Sequence, residues 1–179
     1  MVEFNAERAK RWIGEAEGYL DLGLLEQARA RVEAVARTPF LPFECAVLQG
    51  NLFRERGEFS KAIPFYEDAL KQRRGDILAT VGLGWCLKRM GSVERAAQAY
   101  EEALRFHPSE GLLHYNLACY RSLQGQAQEA LLALQRACGI DDDFRVLARE
   151  ESDFDPIRSV AEFQKSIADQ SQGLDSSMA

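Results

Sequence analysis

The sequence predicts an all-α fold, a solenoid of stacked helical hairpins, on three observations. The phrase GNLFRERGEFSKAIPFYEDAL at residues 50–70 returns 34 residues later as GWCLKRMGSVERAAQAYEEAL, and after the same step as ACYRSLQGQAQEALLALQRAC. Each copy has a glycine at its break, and small residues hold the same places in every copy. A fixed interval of this length marks an array of stacked units, because a lone helix pair cannot bury its apolar face and neighbours must supply the core.

Windows starting at Ala9, Phe43, Ile77 and Gly111 place like residues under like with no insertion. Mid-way along the first helix of each window stand Ala16, Gly50, Gly84 and Ala118. The turn follows at Gly23, Gly57, Gly91 and Gly125, where glycine adopts positive φ without steric cost. The second helix opens with Ala28, Ala62, Ala96 and Ala130, then carries bulky Val32, Tyr66, Tyr100 and Leu134 and small Val35, Ala69, Ala103 and Ala137. Small side chains at both places let antiparallel helices approach closely while Tyr66 and Tyr100 fill the space beside them. Pro64 is expected near enough its helix start to cause only a mild bend. Beyond the windows, Asp155-Pro156 reads as an N-cap and first-turn proline. Ile157, Val160, Ala161 and Ile167, with Phe163 flanking, form the face of a terminal helix that caps the array. The polar stretch QSQGLDSSMA is expected to be disordered.

This pattern resembles the tetratricopeptide repeat, a helix–turn–helix unit of the same length. Trp12, Tyr19, Gly23 and Ala28 carry the motif in the first window, and Gly84, Gly91, Ala96, Tyr100, Ala103 and Pro108 carry it in the third. The sequence departs from the motif where Ala46, Thr80 and His114 replace the early aromatic and where Arg121 takes the slot of Tyr19, Phe53 and Leu87. The resemblance implies a right-handed superhelix. Its expected parts are a lead-in at 1–8, repeats at 9–42, 43–76, 77–110 and 111–144, a capping segment and helix at 145–169 and a tail at 170–179. Asn116-Leu117-Ala118-Cys119-Tyr120 with Asp153-Phe154-Asp155-Pro156 also resembles the closing segment of bacterial proteins of this family.

Composition narrows the partners. Hydrophobic content of 46% and charged content of 28% are those of a globular chain. The net charge of −6 lies wholly in residues 141–179, with ten acids against four bases, so the repeats are neutral. A neutral body offers no footprint for a phosphate backbone, which argues against nucleic acid. The start MVEFNAER lacks a basic patch before an apolar run, and no apolar stretch approaches the ~20 residues of a membrane span. Both point to a cytoplasmic protein with no membrane partner. Cys45, Cys86, Cys119 and Cys138 share no C-x-x-C spacing and are expected to be buried thiols. Asp141-Asp142-Asp143 lacks the glycine and terminal glutamate of a calcium loop and is expected to start a helix instead. His107 and His114 have no acid or nucleophile at catalytic spacing, so no general acid–base pair, cofactor or metal site is expected.

In the family, the first helix of each repeat lines a concave groove that binds extended peptides or a partner helix. Register then places Val47, Asn51, Arg54, Leu78, Val81, Trp85, Lys88, Arg89, Leu112, Tyr115 and Cys119 on that surface. It leaves open whether Trp85 and Tyr115 are exposed there or covered by the C-terminal helix. The carboxylate clamp of lysine, arginine and asparagine used by relatives that bind heat-shock chaperone C-termini is missing: its first lysine position reads Ile13, Val47, Val81 and Tyr115, and Asn51 matches one asparagine without its basic partners. An apolar floor rimmed by Arg54, Lys88 and Arg89 suits a protein or peptide with hydrophobic anchors. The expected function is a non-enzymatic interaction scaffold, with self-association open to it. A type III secretion-type chaperone is the alternative, and an enzyme the third reading.

Overall fold

Asn5 opens the first helix: its backbone is extended and its Oδ1 accepts the Arg8 N–H at 3.0 Å, satisfying one of the donors a helix start leaves unpaired. The computed structural model describes residues 5–168 and divides the chain into two compact units, Met1–Phe106 and His107–Ala179. The first unit holds α1 (Ala6–Asp21), α2 (Leu25–Ala36), α3 (Pro42–Glu55), α4 (Phe59–Gln72), α5 (Ile77–Arg89) and α6 (Val93–Leu104). The second holds α7 (Gly111–Leu123), α8 (Ala127–Ile140), α9 (Asp143–Glu150), a 3-10 helix (Ser152–Ile157) and α10 (Ala161–Ile167). No strand occurs among the described residues. The tail expected at 170–179 lies outside them.

The four hairpin turns share one geometry. Gly23, Gly57, Gly91 and Gly125 have φ between 70° and 73°. In the second turn the Gly57 N–H donates to the Arg54 carbonyl and the Glu58 N–H to the Phe53 carbonyl, both at 2.9 Å. The other three repeat this pair of bonds. Such a Schellman ending satisfies carbonyls that the helix terminus orphans, and its left-handed residue is the reason for glycine.

Within the first unit α1 packs on α3 and α3 on α5, so the first helices of successive pairs form one layer and α2, α4 and α6 the other. Glycines and tyrosines set the spacing. A Cβ on Gly50 would lie 2.8 Å from the Tyr66 ring, one on Gly82 2.5 Å from the same ring, and one on Gly84 2.4 Å from the Tyr100 ring. Both tyrosines are buried. Each ring therefore occupies the volume that a side chain on the facing helix would need, which is the close approach expected from the small residues at these places. Pro64 is the sixth residue of α4, past the first turn rather than within it. It leaves the Ser60 carbonyl without its helical donor, a greater cost than the sequence position suggested.

In the second unit α7 and α8 form a hairpin whose apolar side is closed by α10 against α8 and by the 3-10 helix against α7. Asp143 begins α9, as expected of the aspartate run, and the Asp141 carboxylate accepts the Asp143 N–H at 2.9 Å. The terminal helix needs correction. Asp155-Pro156 does not start it; both residues belong to the 3-10 helix, and α10 begins at Ala161 behind Val160, with no side-chain cap. The reason is the spacing of Phe154 and Ile157, both fully buried: residues three apart share a face at three residues per turn. Phe163 and Ile167, four apart, then form the buried side of α10. Arginines hold this segment in place. Arg158 donates to the Arg149 and Glu151 carbonyls, both at 2.7 Å, and Arg149 donates to the Ile167 carbonyl at 2.7 Å. Arg145, itself buried, donates to the Ser166 carbonyl.

Candidate functional site

The groove residues expected from register divide between the two units. Val47, Asn51, Arg54, Leu78, Val81, Trp85, Lys88 and Arg89 belong to the first, and Leu112, Tyr115 and Cys119 to the second. In the first unit, Arg54 and Glu55 at the end of α3, Gly57 in the turn, Phe59 at the start of α4, and Val81 and Trp85 on α5 line a cleft of about 500 Å³. Val81 and Trp85 are four apart and so share one face of α5.

Trp85 is 41% exposed. Its ring meets the Phe59 ring edge-on, with centroids 5.0 Å apart and planes at 84°, an arrangement favoured by the quadrupoles of aromatic rings. The Arg89 guanidinium lies 5.5 Å from the Phe59 centroid and 5.7 Å from that of Trp85, where ring faces attract a cation. Arg54 is half-buried and binds Glu55, with Nη2 to Oε1 at 2.9 Å. Burial works against its charge, but the Glu55 hydrogen bond and nearby Tyr66 outweigh that and hold the guanidinium above its ordinary value. Asn51 accepts the Tyr66 hydroxyl at 2.6 Å, and burial pushes that hydroxyl well above the ordinary tyrosine range. Val47 is half-buried against the cluster of Phe43, Ala46, Ala69 and Ala79, Lys88 is half-buried, and Leu78 stands out at 75% exposed.

In the second unit the outcome is different. Tyr115, placed by register in the groove, is 8% exposed and belongs to the core. It stacks on Phe144 at 5.2 Å and meets Phe154 edge-on at 5.8 Å. Cys119 is buried in the same cluster. Both are covered because α9 and the 3-10 helix bring their aromatic rings onto α7; Leu112 stays partly exposed. Phe59 escaped sequence reasoning, since it lies on a second helix and falls outside the first-helix register. An aromatic two residues after the turn glycine was the available signal.

All four thiols are buried, and burial raises Cys45 and Cys86 to about 11. His114 is buried with Nε2 2.9 Å from the Pro108 carbonyl. Among the described residues no three histidine, cysteine or acidic side chains are placed to hold a metal ion. No helix of these residues is long and apolar enough to cross a membrane. The chemistry the cleft offers is an apolar surface edged by the Arg89 guanidinium and the Arg54–Glu55 ion pair.

The model of the tetratricopeptide repeat matches residues 13–77, 47–111 and 81–143. The chain belongs to the tetratricopeptide repeat family. Among curated relatives, the peroxisomal targeting signal receptor of Candida glabrata is 34% identical over 104 residues, 54% of this chain and 17% of the receptor. The probable UDP-N-acetylglucosamine–peptide N-acetylglucosaminyltransferase SPINDLY of Petunia hybrida is 25% identical over 103 residues, 58% of this chain and 11% of the transferase. The tetratricopeptide chain thus spans a small fraction of the length of these relatives. Among solved structures, MamA from Desulfovibrio magneticus RS-1 superposes with a TM-score of 0.69 at 20% identity, covering 94% of this chain and 97% of that one. YrrB, described as a tetratricopeptide protein with an unusual peptide-binding site, gives 0.67 at 19% identity over 80% and 75% of the two chains. These likenesses show an all-α tetratricopeptide solenoid, a fold that serves as a protein–protein interaction scaffold.

Proposed function

We propose that this tetratricopeptide chain is a non-catalytic scaffold that holds one segment of a partner protein, with a hydrophobic side chain of the partner seated against Trp85, Phe59 and Val81. The exposure of Trp85 carries this reading. A tryptophan left 41% open beside an apolar cleft loses the burial that a ring of this size usually finds, and tryptophan and arginine are the types enriched where binding energy concentrates. Arg89 at the edge favours a partner with an acidic flank, while Arg54 is already matched by Glu55. Tyr115 and Cys119 take no part, because they are core. The missing clamp means that a free C-terminal carboxylate is not the recognised feature.

The test is affinity measurement against a partner recovered by cross-linking to the wild-type protein. Trp85→Ala is expected to weaken binding by roughly 2 kcal/mol or more, about thirtyfold, with a fall of a few degrees in melting temperature from the lost Phe59 contact that leaves the protein folded. A stable Trp85→Ala protein that binds the partner undiminished would refute the proposal.

A further inference from the structure

A second cleft, of about 570 Å³, opens among the C-terminal halves of α4 and α6 and the first turns of α5. Leu83 contributes to it, and Leu83 lies roughly 200° around α5 from both Val81 and Trp85. The two clefts therefore open on opposite sides of that helix. Leu70, Leu83, Ala99 and Ala103 supply the apolar walls. Phe106, 46% exposed, rests against Gly75, one of the lining residues.

The charges at this mouth are unequal in state. Glu67 is paired with Arg95 at 2.8 Å and Glu102 with Arg105 at 2.8 Å. Lys71 and Arg74 are exposed and line the same cleft, and among the described residues neither side chain makes an ion pair or hydrogen bond. Lys71 sits in the last turn of α4, where a cation suits the helix dipole, yet its ammonium and the neighbouring guanidinium remain open to a ligand. An apolar recess with two unspent cations at its edge complements an apolar side chain with carboxylates beside it.

We propose that this cleft is a second docking surface, which takes a short protein segment carrying a bulky aliphatic or aromatic residue flanked by glutamate or aspartate. A peptide fits better than an anionic lipid surface. The site is a recess, not a plane, and the Glu67 and Glu102 carboxylates at its rim would oppose a continuous sheet of negative charge. The proposal is independent of the Trp85 cleft, since it uses none of the same residues.

The probes are blocked octapeptides with a central Leu-Phe flanked by glutamates, and two matched controls: glutamine for glutamate, and serine for Leu-Phe. Each is titrated into the ¹⁵N-labelled full chain. Amide shifts are expected at Leu70, Lys71, Arg74, Leu83 and Ala99 with the first peptide, and both controls should bind about tenfold more weakly. Lys71→Glu with Arg74→Glu, both at exposed positions and checked by melting, should lose the acidic peptide and prefer a lysine-flanked version. Raising the salt concentration should weaken the wild-type interaction. Trp85→Ala should leave this binding intact, which separates the proposal from the reading of the other cleft. It is overturned if no peptide shifts these amides, or if the charge reversal changes nothing. It is equally overturned if the shifts vanish with Trp85→Ala, or if only anionic phosphatidylserine vesicles bind through Lys71 and Arg74.

Discussion

Replacing Gly84 with alanine isolates the close approach of α5 and α6. The added methyl would stand 2.4 Å from Cε2 of Tyr100 and 3.1 Å from its Cζ and hydroxyl oxygen, about 1 Å inside ordinary contact. Tyr100 is 1% exposed, so its ring has no open space to swing into, and overpacking of this kind costs about 1–3 kcal/mol. Alanine also gains roughly 1 kcal/mol of helix propensity over glycine, which would hide part of the clash. Gly14→Ala supplies the control: Gly14 is also mid-helix, in α1 of the same unit, and a Cβ there meets nothing within 4 Å. Propensity cancels between the two variants, so Gly84→Ala is expected to be less stable than Gly14→Ala by about 1–3 kcal/mol. In thermal unfolding of the full chain, at about 2–4 °C per kcal/mol for a protein of this size, Gly14→Ala should melt above wild type and Gly84→Ala several degrees below Gly14→Ala. Adding Tyr100→Leu to Gly84→Ala should recover part of the clash, a non-additive result expected of residues in contact. Equal melting of the two glycine variants would show that α5 and α6 are not held at this distance by the Tyr100 ring.

Arg158→Ala removes hydrogen bonds from a charged donor to two carbonyls and should cost roughly 2 kcal/mol or more; hydrogen exchange should accelerate in α9 and α10 while the first unit is unaffected. The raised pKa of the Cys45 and Cys86 thiols, about 11 against an ordinary 9, favours the neutral form in the folded state. The stability this contributes is therefore complete below pH 9 and is lost as pH rises toward 11, with buried Tyr66 adding in the same direction. Denaturant midpoints measured across pH 8–11 should fall over that window, and a flat profile would mean that these groups are not buried. A peptide ending in acidic residues should bind no better with a free C-terminus than as its amide, checked by calorimetry; a strong preference for the free acid would show that a carboxylate clamp operates.

What the sequence determined by itself is whatever repeats locally. The turn glycines required only that positive φ recur at one place per window, and all four adopt it. The small residues facing Tyr66 and Tyr100 were legible for a related reason: a stacked array meets the same neighbour at each step, so the register carries the contact. Trp85 and Tyr115 were not separable this way. They fall within the same helix of successive windows, yet one is 41% exposed and the other 8%. The difference comes from Phe144 and Phe154, which lie outside the repeat pattern and reach Tyr115 only through the path of α9 and the 3-10 helix. Asp155-Pro156 misled for the same reason, since local start signals were overridden by the burial of Phe154 and Ile157 three residues apart. The unpaired state of Lys71 and Arg74 depended on which neighbours reached them across helices. Periodicity records what each unit does to the next; burial and charge pairing at the non-repeating end and across helices are many-body outcomes of packing, and only the tertiary structure decides them.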